Sequence, residues 1–350
     1  MSLQLKHIGI FVLMAASIWS CSLVDEDLRD CKPDYLEADY HLDYELRLVT
    51  NMTTELQTQL SLAADINVKN ALAAYLSNVF TDKAHDVNLG FYDVVEDSTL
   101  LHHESHIMDA NQSSYTLYIP VRRYMHLALA NLENNDLVSL EGPDRCHTSR
   151  IVQKIRDTIP SHTSGIFSAR LPMDIQEGKD QQFDVRLYMS NCASAVVIDT
   201  LGSNVKDVKV YMSGFATSFD VCDSLYQYSY TPIIRADKLP LSAGEPICYT
   251  AVTFPSRPVE KTKVIIQTDD PDISESAESP LWQIRCYCVL KDGTVTETIL
   301  GLTKPLSPGN LKVVTAKAQD NGTITTGDPS VVAVSITLDW SSGLDHQVIL

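Results

Sequence analysis

The sequence predicts a mainly β protein, organised as two β-sandwich domains with one or two short helices. Three observations support this: apolar residues alternate with a period of two in segments throughout the chain, hairpin-type turns separate some of them, and helical periodicity is sparse. The roughly 330 residues that follow an N-terminal signal are enough for two separate cores. We therefore expect two sandwiches rather than one large sheet.

Five segments carry the alternation that predicts strands. Residues 43–49 place Tyr44, Leu46 and Leu48 on one face, and residues 183–189 and 208–212 repeat the pattern. Residues 282–290 place two cysteines on an apolar face. The last alternating face comprises Val332, Val334, Ile336, Leu338 and Trp340. Asp-Gly at 292–293 and Asn-Gly at 321–322 are typical of the turns that close hairpins.

One segment has clear helical periodicity. Asp65 is a suitable N-cap for a helix whose apolar face would be formed by Val68, Leu72, Tyr75, Leu76, Val79 and Phe80. A second, shorter helix is expected over residues 149–157. Residues 124–131 fit either type of structure, and we interpret them as a strand.

The N-terminus has the pattern of an export signal. Lys6 is followed by twelve uncharged residues, 8–19, which are too few to span a bilayer about 30 Å thick. Residues 18–21, Ile-Trp-Ser-Cys, resemble a lipobox, in which the cysteine is acylated and the chain is cut before it. We therefore predict a signal peptide at 1–20 and a lipid anchor on Cys21. The alternative is a plain secreted protein in which Cys21 pairs with Cys31.

The expected organisation follows from these features. Residues 21–40 form an acidic tether, residues 41–178 the N-terminal sandwich, and residues 179–350 the C-terminal sandwich. The boundary is placed in the polar, glycine-containing stretch 174–180, between two strand patterns.

Charge and cysteine content limit the function. The net charge is −18, and it becomes −19 without residues 1–20, which hold one lysine and no acid. Such a chain is not expected to bind nucleic acid. Seven cysteines besides Cys21 are widely scattered, so no disulfide framework is predicted, although Cys31 with Cys146 is one candidate bridge. Cys286 and Cys288 are interpreted as buried core thiols, because zinc would require a second close pair.

The chain contains one weak candidate for catalysis. On a strand, His102, Glu104 and His106 would share a face and could hold a metal, but we favour a polar, solvated strand or loop as the explanation. The acidic residues 269–272 lack the glycine and terminal glutamate of a calcium-binding EF-hand loop. We therefore predict no enzyme activity, no catalytic residues, no metal site and no cofactor.

Several stretches, taken in order, resemble a known family. They are residues 21–31 (CSLVDEDLRDC), 44–51 (YELRLVTN), 126–131 (HLALAN), 164–172 (SGIFSARLP) and 185–193 (VRLYMSNCA). Together they make the chain similar to the FimB-type fimbrial anchor family of Bacteroides-like bacteria, which is related to the minor-fimbrium anchor subunit. The resemblance spans nearly the whole mature chain, and none of its motifs is catalytic.

The resemblance implies two transthyretin-like sandwiches in an outer-membrane lipoprotein that is exposed on the cell surface. It implies fimbrial structural subunits as partners, membrane contact through acylated Cys21, and a role in tethering a fimbria and in adhesion. Subunits of such pili join by β-strand complementation. Residues 332–340 are the candidate donor strand, unless they are simply the last strand of their own domain, and Val348, Ile349 and Leu350 form a further apolar tail.

Two other functions fit parts of the sequence. A surface glycan-binding lipoprotein of a nutrient-uptake system would also be acidic, β-rich and lipidated, and three Trp and 15 Tyr allow an aromatic platform. The alternation of Trp282 and Trp340 with apolar neighbours instead favours their burial. A metal-dependent hydrolase would depend on His102, Glu104 and His106.

Overall fold

The computed structural model describes residues 35–45, 66–81, 86–95, 99–107, 114–154, 157–177, 179, 181–230, 232–242, 246–258 and 281–338. Within these ranges the protein is mainly β, with several sheets and one α-helix, α1 (Ile66–Thr81). The predicted fold class is therefore confirmed as mainly β.

The described residues form 22 strands. The first half of the chain contains β1 (Tyr35–Glu45), β2 (Asp86–Asp93), β3 (Leu100–Ile107), β4 (Ser114–Pro120), β5 (Arg123–Ala130), β6 (Val138–Glu141), β7 (Arg150–Gln153), β8 (Thr158–Pro160), β9 (Phe167–Asp174) and β10 (Gln182–Met189). The second half contains β11 (Cys192–Thr200), β12 (Val205–Ser213), β13 (Ser218–Asp220), β14 (Leu225–Gln227), β15 (Ile233–Arg235), β16 (Asp237–Lys238), β17 (Ile247–Thr253), β18 (Trp282–Leu290), β19 (Val295–Leu302), β20 (Leu311–Ala318), β21 (Ile324–Thr326) and β22 (Val331–Leu338).

These strands form four sheets. The seven-stranded sheet has the order β3-β2-β5-β9-β10-β1-β4, and the four-stranded sheet has the order β14-β13-β7-β6. The five-stranded sheet has the order β16-β17-β11-β20-β21, and the six-stranded sheet has the order β22-β19-β18-β12-β15-β8. Most neighbouring strands are antiparallel, but β1 runs parallel to β10, β11 to β20 and β8 to β15.

The sheets are stacked because successive side chains of a strand point to opposite faces. On β5, Ala128 joins a core shared with α1 and the five-stranded sheet, whereas Leu129 joins a core shared with the four-stranded sheet. On β11, Val197 faces the core that contains α1, whereas Val196 faces the six-stranded sheet. The seven-stranded and five-stranded sheets are thus apolar on both faces and form the inner layers.

The helix α1 confirms the predicted periodicity. Val68, Leu72, Leu76, Val79 and Phe80 are buried together in the core between the seven-stranded and five-stranded sheets. The proposed cap, Asp65, lies just outside the described residues. The period of 3.6 residues is a local property, which explains why the sequence predicted this element well.

Other local predictions are also confirmed. Residues 124–131 largely coincide with strand β5, and the predicted Asp-Gly turn connects β18 to β19. In that turn Gly293 adopts a φ of +91°, a conformation that glycine tolerates best. The pattern of 282–290 corresponds to β18, in which Trp282, Ile284, Cys286 and Cys288 are buried.

The second predicted helix, over residues 149–157, is wrong. Residues 150–153 form β7, which pairs with β6 on one side and with β13 on the other. Ile151 and Gln153 are buried while Arg150 is exposed, so burial alternates with a period of two. Pairing with the preceding strand β6 and with the distant strand β13 outweighed the helical preference of this short segment.

The strand pairing also bears on the predicted domain boundary. The expected position, between residues 178 and 179, separates β9 from β10, which are neighbours in one sheet. The strand β10 pairs with β1 over seven residues, from Asp39↔Gln182 to Glu45↔Tyr188, and so belongs with the N-terminal strands. A division of the chain by sheets would come after Met189. The organisation into two domains stays a prediction.

Candidate functional site

The sequence analysis predicted several site residues, and those that the structure describes all lie on its last described strand, β22. Five of the residues predicted to act at a site, namely Cys21, Trp340, Val348, Ile349 and Leu350, lie outside the described residues. The remaining ones, Val332, Val334, Ile336 and Leu338, are all on β22.

The position of β22 in its sheet leaves one of its edges open. It pairs antiparallel with β19 along its whole length, from Val331↔Leu302 to Leu338↔Val295. It is the terminal strand of the six-stranded sheet, so no strand of the described part of the chain pairs with its other edge. An edge strand presents backbone N–H and C=O groups on which a further strand can pair.

The side chains of β22 form an apolar stripe on the surface. Val332, Val334 and Ile336 are 53%, 54% and 51% exposed, respectively. Their cross-strand partners are Gly301, Ile299 and Glu297 on β19, so all three point to the outer face of the sheet. Three β-branched apolar side chains on an open edge are uncommon, because native edges are usually protected by charge, proline or a bulge.

Polar groups adjoin this stripe on the same outer face. Glu297 accepts a hydrogen bond from the Tyr287 hydroxyl at 2.8 Å and lies 3.6 Å from an Arg285 guanidinium nitrogen. Burial, together with the neighbouring Glu297 carboxylate, raises the pKa of Tyr287 above its ordinary value. The carboxylate next to Ile336 is therefore already paired, and the stripe itself carries no charge.

The opposite face of β22 is also exposed, at Ala333, Ser335 and Thr337, and a contact between hydroxyl groups attaches it to its own sandwich. The Ser335 and Thr298 hydroxyls are 2.7 Å apart, and Thr298 is completely buried. The Thr298 Oγ1 also accepts a hydrogen bond from the Ile324 backbone N–H at 3.0 Å, which links β19 to β21. The strand is thus an integrated part of its own sheet.

The start of β22 is fixed by a turn around Asp328. Its carboxylate accepts hydrogen bonds from the Lys312 Nζ at 2.6 Å and from the Ser330 backbone N–H at 2.9 Å. Burial alone would raise the pKa of Asp328, but these hydrogen bonds outweigh it and hold the pKa below its ordinary value. The Val331 N–H donates to the Asp328 carbonyl at 3.1 Å, so the strand leaves this turn in a defined direction.

The histidine motif considered for catalysis lies on β3, an edge strand of the seven-stranded sheet. The His102 Nε2 and Glu104 Oε1 are 2.7 Å apart, and the His102 ring lies 5.6 Å from that of Phe91. The His106 side chain lies outside the described part. The structure therefore brings two of the three residues together, in a hydrogen-bonded pair.

The buried cysteines were predicted correctly. Cys286 and Cys288 are buried on the inner face of β18, and burial raises the pKa of Cys288 to about 11. Cys146, Cys192, Cys222 and Cys248 are also buried free thiols. Cys31, the candidate partner of Cys146, lies outside the described residues.

One group of polar residues was missed by the sequence analysis. His147, Cys222 and Asp223 come together although 75 positions separate the histidine from the cysteine. No local spacing indicates this group, because it forms only when β7 pairs with β13.

Among the described helices, none has the length and hydropathy needed to cross a membrane.

Comparison with known proteins agrees with the fold. No protein-family model matches the chain, and no curated protein matches it. A "putative adhesin" from Bacteroides thetaiotaomicron VPI-5482 has a similar structure, with 11% identity and a TM-score of 0.50 over 87% of this chain and 99% of that chain. This likeness shows a shared fold.

Further solved structures are more distantly similar. The fimbrial anchor protein Mfa2 from Porphyromonas gingivalis has 10% identity and a TM-score of 0.43 over 73% of this chain and 90% of that chain. A fimbrial assembly protein from Parabacteroides distasonis ATCC 8503 has 10% identity and a TM-score of 0.39 over 86% of this chain and 99% of that chain. The structural neighbours are described as adhesins, cell adhesion proteins and fimbrial anchor or assembly proteins.

Proposed function

We propose that this protein is a lipid-anchored accessory or anchor subunit of a fimbria, without catalytic activity, that takes part in cell adhesion. In this proposal acylated Cys21 holds the chain at the outer membrane, exposed on the cell surface. Fimbrial subunits join it by β-strand complementation. The acidic residues 21–34 act as the tether between the lipid and the folded sheets, because residues 35–40, which the sequence analysis assigned to the tether, belong to β1.

The observation that carries the proposal is the open edge of β22. Its outer face is apolar at Val332, Val334 and Ile336, and these side chains are about half exposed. A strand of a second subunit that pairs with this edge would gain main-chain hydrogen bonds, and alternate side chains would set its register. Burial of three such side chains contributes on the order of 1 kcal/mol each, because about half of each is already buried.

The structure supports a particular version of strand complementation. Because β22 is paired along its whole length with β19, we propose that it acts as an acceptor edge. The alternative is that residues 332–340 leave this sheet and are donated to a partner. That route would break the whole β19–β22 ladder and the contact between Ser335 and Thr298.

Glycan binding is less well supported, because the tryptophan in the described part of the chain is buried. Trp282 is 1% exposed, lies against Phe215 and donates its Nε1–H to the Lys304 carbonyl at 3.0 Å. A buried indole with its N–H satisfied is a core residue and offers no platform for a sugar ring. Selective retention on a polysaccharide affinity gel would favour this second function.

The docking edge is tested by placing charge on it. Replacing Val334 and Ile336 with lysine should block strand pairing, since lysine is one of the residues that protect natural edges. In cells that produce only this variant, we expect fimbriae to be released into the medium. The matched control is Leu101→Lys, because Leu101 is also an exposed apolar residue of an edge strand, β3.

The result has a clear interpretation when the variants are folded. The free energy of unfolding of each variant should lie within about 0.5 kcal/mol of the wild-type value, because the altered side chains are exposed. Release with the double variant and retention with Leu101→Lys support the proposal. Normal retention with both variants contradicts it.

The anchor is tested separately on Cys21. We expect mass spectrometry of the protein from membranes to find the mature N-terminus at Cys21 with acyl chains attached. Several chains hold a protein stably at a membrane, whereas one alone does not. The variant Cys21→Ala should appear in the soluble fraction, and a wild-type protein with an unmodified Cys21 would refute the anchor.

A further inference from the structure

Two turns next to the four-stranded sheet bring metal-binding residues together. The first is a short 3-10 turn at Cys146–Thr148, directly before β7, and the second connects β13 to β14 and contains Cys222 and Asp223. The strands that they flank are neighbours, with Phe219 opposite Ile151. The two turns are therefore held side by side by the sheet.

Hydrogen bonds fix the shape of both turns. The Val221 N–H donates to the Ser149 carbonyl at 3.1 Å and so joins one turn directly to the other. The Ser149 hydroxyl donates to the Arg145 carbonyl at 2.9 Å, and the Ser224 N–H donates to the Val221 carbonyl at 3.3 Å. The backbone that positions the candidate ligands is thus defined before any ion binds.

Three ligand atoms of different chemistry meet between these turns. A ring nitrogen of His147, the Cys222 Sγ and a carboxylate oxygen of Asp223 all lie within 4.8 Å of one another. The Cys222 Sγ and the His147 Nδ1 are 3.6 Å apart. The sulfur and nitrogen ligands of a tetrahedral zinc ion are about 3.5 Å apart at the usual bond lengths.

We propose that His147, Cys222 and Asp223 form a binding site for a zinc ion. Thiolate, imidazole and carboxylate together suit zinc, whereas calcium and magnesium prefer oxygen ligands alone. Cys222 is buried, but His147 and Asp223 are exposed, so an ion can reach the site from solvent. A water molecule would complete the tetrahedron. The site is independent of the proposed docking at β22.

Two simpler arrangements compete for the same thiol. The 3.6 Å separation also suits a hydrogen bond from the Cys222 thiol to the His147 ring. In addition, Cys146 is buried in the same core cluster as Cys222, and an oxidant could join the two thiols in a disulfide. A test of the zinc site must therefore begin with fully reduced protein.

The test measures zinc binding by the whole folded chain. Protein reduced with a phosphine and freed of metal with a chelator is titrated with zinc in a calorimeter, and bound metal is then measured by elemental analysis. We expect one zinc per chain. Cobalt in place of zinc should give a thiolate-to-cobalt charge-transfer absorption, which the variant Cys222→Ser should lack.

Variants of the exposed ligands separate this site from unspecific binding. Loss of an outer hydrogen-bond partner of a ligand costs about 10–100-fold in metal affinity, so His147→Gln and Asp223→Asn should each cost at least that much. The controls His103→Gln and Asp184→Asn alter exposed residues elsewhere and should bind zinc like the wild type. Cys146→Ser should also keep the zinc site, and it prevents the disulfide.

Three results would overturn the site. They are the failure of the reduced chain to bind zinc, equal affinity in the wild type and the ligand variants, and a cobalt spectrum without thiolate absorption. A Cys146–Cys222 disulfide in protein purified without reductant, with no zinc uptake after reduction, would likewise assign these thiols to a covalent bridge.

Discussion

Two histidines are completely buried within the described core. His126 lies between Tyr40 and Phe91, and its ring nitrogens are 2.6 Å from the Tyr40 hydroxyl and 2.9 Å from the Gly90 carbonyl. The His162 Nδ1 is 2.9 Å from the Asn191 Nδ2. Burial lowers the pKa of both histidines from 6.5 to about 4, so both are neutral at neutral pH.

These histidines predict a loss of stability in acid. Between about pH 6.5 and pH 4 the unfolded chain binds protons at these residues and the folded chain does not, so falling pH favours unfolding. Each pKa unit corresponds to about 1.4 kcal/mol, which gives on the order of 3 kcal/mol per histidine once the pH is below both pKa values. Urea unfolding across this range should show the decline.

The variant His162→Leu isolates the contribution of one histidine. It should lower stability at neutral pH by about 1–3 kcal/mol, because the buried Asn191 Nδ2 group loses its contact with the His162 ring. Its stability should nevertheless fall less steeply in acid than that of the wild type. His103→Gln, at an exposed position, should keep the wild-type slope, and equal slopes in all three proteins would contradict this account.

Gly214 is required by the close approach of β18. Its φ is +96°, and a Cβ at this position would lie 2.7 Å from both the Leu281 carbonyl oxygen and the Trp282 Cα. Backbone atoms cannot move aside as a flexible side chain can. Gly293 has a similar φ of +91°, but nothing lies within 4 Å of its would-be Cβ.

The two glycines make a matched pair of predictions. Gly293→Ala should destabilise the protein by about 1–2 kcal/mol, which is the cost of a left-handed conformation. Gly214→Ala should cost clearly more, because the steric conflict adds to that strain. Thermal or urea unfolding checks the difference. An equal loss of stability in the two variants would show that the backbone of Trp282 does not approach Gly214 closely.

At the scale of elements, α1 shows how a single apolar face attaches a helix to the sheets. Leu76 is completely buried, whereas Ile66 in the same helix is 64% exposed. Leu76→Ala should cost about 2–5 kcal/mol by opening a cavity between the sheets. Ile66→Ala should change the free energy of unfolding by no more than about 0.5 kcal/mol. Similar losses for both would mean that α1 does not pack as described.

The elements also show what the sequence could predict. The periodicity of α1 and the alternation in β18 are local, so both were identified with their buried faces. The helix expected over 149–157 was wrong because β7 pairs with the preceding strand β6 and with β13, which is distant in the chain. The exposure of Val334 was equally hidden, since alternation predicts two faces of a strand but cannot show that both faces of β22 are exposed.

At the scale of the whole molecule, the stacked sheets explain why the chain was hard to divide. The five-stranded sheet has apolar residues on both faces, Val197 on one and Val196 on the other, so it joins the N-terminal and C-terminal parts of the core. The polar stretch at 174–180 suggested a boundary, but it gave no indication that β10 pairs with β1. Likewise, the group of His147, Cys222 and Asp223 exists only in the folded molecule.

The most direct test of the central claim is hydrogen–deuterium exchange at β22 with and without fimbrial subunits sheared from cells. If the open edge accepts a strand, amides within Val331–Leu338 should exchange more slowly in the complex, while those of the opposite edge strand, β8, should not change. Protection at another surface, with exchange along β22 unaltered by bound subunits, would contradict the account.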